Sequence, residues 1–128
     1  MASPPTRIRV LIVDDNRSVR RGLRLVLDSV PDIHVVGEAS NGMDAVTATR
    51  TERLDVVLMD MQMPGVTGAE ATRQIRELPG CTDLPIIALT ANALQGDREA
   101  CLSAGMNDYL AKPFKRTDLQ QILQRWVQ

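Results

Sequence analysis

Several residue types that build common functional sites are scarce in this chain of 128 residues. There is one histidine, and the only two cysteines, Cys81 and Cys101, form no Cys-x-x-Cys pair. This scarcity argues against a cysteine and histidine metal centre and favours a reduced, cytoplasmic setting. Basic and acidic side chains nearly cancel, to a net charge of −1. We therefore expect no direct binding of nucleic acid.

Long apolar segments are missing too. No stretch approaches the ~18 apolar residues of a membrane span, so we expect no insertion into a membrane. Residues 1–6 lack the apolar core of a signal peptide, and we expect them to be a flexible segment of a single domain that covers 1–128. With His34 as the sole histidine and no nucleotide-binding segment, the chain is not expected to be a kinase itself.

What the chain does contain is a regular alternation of apolar runs and helical patterns. Five runs rich in Val, Ile and Leu predict strands at 8–13, 33–39, 54–59, 84–89 and 107–111, each followed by a helix. This order predicts an α/β fold, a doubly wound (βα)5 parallel sheet with helices on both faces. We expect the flavodoxin-like strand order 2-1-3-4-5, whose switch point lies between strands 1 and 3.

Polar residues mark where helices begin and which way they face. Asn41 and Thr67 are predicted N-caps, and Gly105 is a predicted left-handed residue after a helix. In the first helix, the apolar spacing predicts that the four arginines point toward solvent: Arg17, Arg20, Arg21 and Arg24.

Residues suited to phosphate or metal chemistry stand at the ends of four predicted strands. They are Asp14 with Asp15, then Asp60, Thr90 and Lys112. The carboxyl ends of parallel strands lie along one edge of the sheet, so these side chains are expected to share one crevice.

The residue types in this crevice indicate phosphoryl chemistry. Carboxylates a few ångströms apart repel one another unless a cation joins them, and Mg²⁺ prefers such oxygen ligands while keeping several waters. A carboxylate can form an acyl phosphate if a metal and hydrogen-bond donors neutralise the transferring group. Asp60, alone at the end of the central strand, is the expected nucleophile, with Thr90 and Lys112 as donors to the phosphoryl oxygens.

Four segments together resemble the receiver domain of response regulators in two-component and phosphorelay signalling. They are VLIVDDN at 10–16, MDMQMP at 59–64, ALTAN at 88–92 and DYLAKPF at 108–114. Each is weak alone, but their order and spacing over nearly the whole chain are specific. The resemblance implies that Asp60 takes a phosphoryl group from a phosphohistidine on a sensor histidine kinase or a histidine phosphotransfer protein.

The resemblance also implies roles for the residues around Asp60. Asp15 and Asp60 would ligate Mg²⁺ directly, together with the backbone carbonyl of Gln62, and Asp14 mainly through water. Phosphoryl oxygens would be bound by Thr90, the backbone amide of Ala91 and Lys112. Side chains at Gln62 and Asn92 would tune hydrolysis of the acyl phosphate, and the domain would catalyse its own phosphorylation and dephosphorylation.

The same resemblance implies a conformational switch. Thr90 would move toward the phosphoryl group, Tyr109 would rotate into the space it leaves, and the face of helix 4, strand 5 and helix 5 would change for an output partner. The plainer interpretation of Tyr109 is a partly buried edge aromatic. The protein would be a monomer or a phosphorylation-dependent dimer.

Two segments of the chain resemble different kinds of receiver domain. Residues 31–39 are similar to receivers of DNA-binding regulators, whereas 90–114 resemble receivers of hybrid sensor histidine kinases. The sequence leaves open whether the chain is a stand-alone receiver or part of a longer protein.

Two other functions fit these residues less well. A phosphatase of the haloacid dehalogenase type would resemble Asp-x-Asp, and here Asp60, Met61 and Gln62 lack the second acid. A receiver-like module that only binds protein is disfavoured by the complete set of acidic residues. The loop at 65–68 reads GVTG, where many receivers carry an acidic residue before the glycine, which leaves only the local contacts of helix 3 in doubt.

Overall fold

Five strands and five helices alternate along the chain. The computed structural model describes residues 8–61, 63, 65–90, 95–111 and 115–126, so the expected flexible segment 1–6 lies outside the described residues. The elements are β1 (Ile8–Val13), α1 (Arg17–Asp28), β2 (Ile33–Ala39), α2 (Gly42–Thr51), β3 (Val56–Asp60), α3 (Gly68–Arg76), β4 (Ile86–Thr90), α4 (Gln95–Ser103), β5 (Asp108–Ala111) and α5 (Arg116–Trp126).

The strands form one parallel sheet in the order β2-β1-β3-β4-β5. This confirms the predicted doubly wound α/β fold and its switch point between β1 and β3. Every residue of β3 and β4 is buried, as expected for central strands that are covered on both faces. Among the described helices, none is long and apolar enough to cross a membrane.

Each face of the sheet carries its own hydrophobic core. The first core includes Ala45 of α2, Ile75 of α3 and Cys101 of α4, which pack on strand residues such as Met59. The second core joins α1 and α5 to the opposite face, through Leu23, Leu27, Leu119, Ile122 and Leu123. Helices on both faces leave the carboxyl edge of the sheet as the place where the polar strand ends meet.

Side-chain caps fix where three helices begin. Asn16 accepts hydrogen bonds from the amides of Ser18 and Val19 at the start of α1. The predicted caps Asn41 and Thr67 are confirmed, since each accepts a bond from the third amide beyond it, at 2.8 Å and 3.2 Å. Gly105, after α4, has the predicted left-handed backbone, with φ of 102°.

Two strands lie slightly later than predicted. β3 begins at Val56 because the amide of Arg9 bonds the carboxylate of Asp55 at 2.8 Å, where a strand neighbour would offer a backbone carbonyl. β4 begins at Ile86, one residue after Pro85, which has no backbone N–H to donate. Both strands therefore include the polar residue at their end, Asp60 or Thr90.

Candidate functional site

Three carboxylates meet where β1 and β3 end. Asp14 and Asp15 follow β1, Asp60 closes β3, and the two strands are direct neighbours. Each of the three residues offers a carboxylate oxygen, and these oxygens all lie within 4.8 Å of one another. Asp14 and Asp60 are buried, at 1% and 5% exposure, while Asp15 is exposed. The three carboxylates therefore lie together, and the exposed Asp15 opens their cluster to ions in solution.

The turn that carries two of these acids is tied down at several points. The amide of Asp14 donates to the carbonyl of Ala39 on β2 at 3.1 Å, and the amide of Asn16 donates to Oδ1 of Asp14 at 2.9 Å. On the other side, Nη1 of Arg20 donates to the backbone carbonyl of Asp14 at 2.7 Å. These three hydrogen bonds hold the backbone of the turn in place.

The prediction that all four arginines of α1 point to solvent is wrong for Arg20. Its side chain is only 15% exposed, and its Nε bonds Oε1 of Glu38 at 3.2 Å. Arg24 bonds the other oxygen of the same carboxylate at 2.5 Å, whereas Arg17 and Arg21 are exposed as expected. Helical spacing shows which side of α1 faces the sheet, but it does not show that Glu38 on the edge strand β2 draws Arg20 inward.

A close backbone contact supports the Asp60 side of the site. A Cβ added to Gly68, the first residue of α3, would lie 2.2 Å from the carbonyl oxygen of Asp60. The Gly68 amide also donates to the carbonyl of Met61 at 3.4 Å. A side chain at position 68 would push α3 away from the end of β3, so this glycine is part of the site. Sequence reasoning treated it only as a loop residue.

Two further predicted residues lie on the neighbouring strands. Thr90 is the last residue of β4, 3% exposed, and β4 pairs directly with β3. Tyr109 on β5 is half-buried against the first core and is in register with Ala88, two residues before Thr90. Because side chains alternate along a strand, Thr90 and Tyr109 lie on the same face of the sheet.

Four predicted site residues lie outside the described part of the chain. They are Gln62, Ala91, Asn92 and Lys112. Their roles stay predictions from the sequence.

Comparisons with known proteins agree on one family. A family model for the response regulator receiver domain matches residues 10–124. The sensor histidine kinase GacS of Pseudomonas protegens is 41% identical over 123 residues, which are 93% of this chain and 13% of GacS. The response regulator UvrY of Escherichia coli is 48% identical over 105 residues, which are 82% of this chain and 47% of UvrY. The chain thus spans less than half the length of either relative.

A solved structure extends this likeness to three dimensions. The receiver domain of the sensor histidine kinase PA1611 from Pseudomonas aeruginosa is 49% identical and superposes with a TM-score of 0.86. The match covers 94% of this chain and 98% of that domain. The crystal structure of that relative has a magnesium ion coordinated in its active site cleft.

Proposed function

This chain belongs to the response regulator receiver domain family, and from that membership we propose that it accepts a phosphoryl group on Asp60. It is a signalling domain of two-component systems, and its relatives include both a sensor kinase and a response regulator. The observation that carries the proposal is the meeting of Asp14, Asp15 and Asp60, with carboxylate oxygens within 4.8 Å of one another.

The acidic cluster suits Mg²⁺. Three carboxylates offer the hard oxygen ligands that Mg²⁺ prefers, and the exposed Asp15 gives access from solvent. We assign direct ligation to Asp15 and Asp60, with the backbone carbonyl of Gln62, and a water-mediated contact to Asp14. When bound, the ion supplies positive charge that offsets the charge of the transferring phosphoryl group.

The proposed reaction transfers phosphorus from nitrogen to oxygen. A carboxylate oxygen of Asp60 attacks the phosphorus of a phosphohistidine, the P–N bond breaks, and the electron pair leaves with the imidazole of the donor. The donor is a sensor histidine kinase or a histidine phosphotransfer protein. Thr90, the amide of Ala91 and Lys112 bind the phosphoryl oxygens, and the domain itself provides these groups for catalysis.

Water hydrolyses the acyl phosphate in the same site. Water attacks the phosphorus, and the carboxylate of Asp60 is regenerated with release of inorganic phosphate. Gln62 and Asn92, each two residues beyond a site residue, tune this step. The domain would therefore set the lifetime of its own signal.

The conformational change that passes the signal to an output partner is proposed to start at Thr90 and Tyr109. Both lie on the face of the sheet that packs against the first core, on adjacent strands. Phosphorylation adds roughly −1.5 to −2 charges beside Thr90, enough to bias two conformations that differ by a few kcal/mol. Rotation of Tyr109 would then change the surface of α4, β5 and α5, where an output partner or a second copy would bind. We place these events in the cytoplasm.

Labelling with a small phosphodonor tests the proposal. Acetyl phosphate with Mg²⁺ should add one phosphoryl group that hydroxylamine removes, as an acyl phosphate requires, and mass spectrometry measures the adduct. Asp60→Asn should abolish the labelling, whereas Asp28→Asn, an exposed acid on α1, should label as the parent protein does. Equal labelling of Asp60→Asn would remove the central claim, and turnover of unrelated phosphomonoesters would favour a phosphatase.

A further inference from the structure

Arg20 touches the acidic site without contributing a ligand to it. We propose that Arg20, oriented by Glu38, is a positioning residue that sets the geometry of the carboxylates for Mg²⁺. This inference rests on the proposed function, because it concerns the affinity of the same site. The three contacts that carry it are Arg20 Nη1 to the Asp14 carbonyl at 2.7 Å, Arg20 Nε to Glu38 at 3.2 Å, and Arg24 Nη1 to Glu38 at 2.5 Å.

The contact between Arg20 Nη1 and the Asp14 carbonyl affects the orientation of the Asp15 side chain. The Asp14 carbonyl belongs to the peptide group that joins Asp14 to Asp15, and a planar peptide turns as one unit. A donor held on that oxygen therefore fixes the plane from which the Asp15 side chain departs. Asp15 is exposed whereas Asp14 is buried, so the placement of Asp15 depends more on this backbone.

The second contact explains why the residue is an arginine. A guanidinium is a rigid planar fork, so a bond from Nε to Glu38 dictates where Nη1 points. The carboxylate of Glu38 is held in turn by Arg24, through its other oxygen. A lysine at position 20 would keep the charge but would offer a single donor group, and it could not span Glu38 and the Asp14 carbonyl with the same geometry.

Charge and geometry predict opposite effects on the metal. A positive side chain beside a cation site weakens cation binding by repulsion, so a purely electrostatic role predicts tighter Mg²⁺ binding when Arg20 is neutralised. A positioning role predicts weaker binding for the same change. The sign of the change in affinity therefore separates the two roles.

The test is a Mg²⁺ titration of the full chain by isothermal calorimetry, with chemical shifts of the Asp14 and Asp15 amides as a second readout. We expect Arg20→Gln and Arg20→Lys each to weaken Mg²⁺ binding by about tenfold, the lower range for groups that orient metal ligands. The matched control is Arg21→Lys, the adjacent exposed arginine, which should bind Mg²⁺ as the parent does. Arg20→Lys decides the matter if Arg20→Gln does not fold.

Glu38→Gln extends the test to the edge strand. It should weaken Mg²⁺ binding in the same direction, and in the double variant with Arg20→Lys the two losses should not add, because both break one linkage. Unchanged or tighter binding in Arg20→Lys would overturn the inference. Failure of the proposed function is distinct: Mg²⁺ binding with the parent affinity in Asp15→Asn would show that the ion does not bind at the acidic cluster.

Discussion

One arginine of α3 joins two loops that lie far apart in sequence. The guanidinium of Arg76 donates to the backbone carbonyls of Gly105, Cys81 and Leu84, and to Oδ1 of Asn107 at 2.7 Å. The same Asn107 oxygen accepts the amide of Ile86, the first residue of β4, at 2.8 Å. Arg76 therefore connects α3 to the segment that precedes β4 and to the segment that precedes β5.

Burial lowers the pKa of Arg76 from its ordinary value, against the opposing charges of Asp83 and Cys81. Arginine nevertheless stays protonated in proteins, so this network keeps its charge at every pH at which the fold exists. The network is a structural device and carries no pH switch.

Replacing Arg76 should cost much of the stability of the domain. Arg76→Ala leaves several carbonyls without their charged donor, and we expect the free energy of unfolding to fall by about 2–4 kcal/mol. Urea titration followed by circular dichroism measures the loss. Arg73→Ala is the control, since that exposed side chain pairs with the exposed Glu70 and should change stability by less than about 0.5 kcal/mol. Similar losses in the two variants would contradict the assignment.

At the scale of elements, α1 contains an exposed glycine in the middle of the helix. In the part of the chain that the structure describes, a Cβ added to Gly22 would meet no atom within 4 Å beyond the helix's own backbone and its chain neighbours. A helical glycine costs roughly 0.5–1 kcal/mol relative to alanine, because more backbone entropy is lost on folding. Gly22→Ala should therefore stabilise the protein by about that amount, as a rise in the urea midpoint.

The matched control lies at the start of α2. A Cβ added to Gly42 would come within 2.6 Å of the backbone carbonyl of Val66, in the loop between β3 and α3. Gly42→Ala should lower the urea midpoint. A stabilising Gly42→Ala would contradict the predicted steric clash with Val66, and a destabilising Gly22→Ala would contradict the predicted gain in helix propensity.

The elements themselves follow closely from the sequence. Apolar runs predicted all five strands, and the order 2-1-3-4-5 was chosen because its switch point between strands 1 and 3 brings Asp14 and Asp15 beside Asp60. Strand starts were less predictable. Leu54 extends the apolar run of β3 in sequence, but the side chain of Asp55 replaces a backbone bond there.

Contacts between distant polar residues were the part that the sequence did not predict. The sequence predicted four site residues because each stands at the end of an apolar run: Asp14, Asp15, Asp60 and Thr90. The inward turn of Arg20 depends on a partner 18 positions away, and the need for glycine at Gly68 depends on how closely α3 approaches Asp60. No local pattern reports either contact.

For the molecule as a whole, the acidic cluster links metal binding to stability. A ligand that binds only the folded state adds about 2.7 kcal/mol at a hundred times its dissociation constant. We expect Mg²⁺ at that ratio to raise the unfolding free energy by this amount, and Asp15→Asn to lose most of the gain. Without metal, Asp15→Asn should be more stable than the parent, because it removes one of three mutually repelling carboxylates.

Urea titrations with EDTA and with Mg²⁺ measure both parts of this prediction. Asp28→Asn serves as the control, since this exposed acid on α1 is outside the cluster and should leave the Mg²⁺ gain intact. A full Mg²⁺ gain in Asp15→Asn, or a metal-free variant less stable than the parent, would contradict it.

The second core has a consequence for how the protein is made. Leu23 and Leu27 of α1 share this core with Leu119 and Leu123 of α5, and Arg116 donates to the carbonyl of Ser29 at 3.0 Å across 87 positions of sequence. A ribosome needs on the order of several seconds to add that many residues. We expect one side of the nascent sheet, with Leu23 and Leu27, to lack its partners from α5 during this interval, so this core is completed only after α5 emerges from the ribosome.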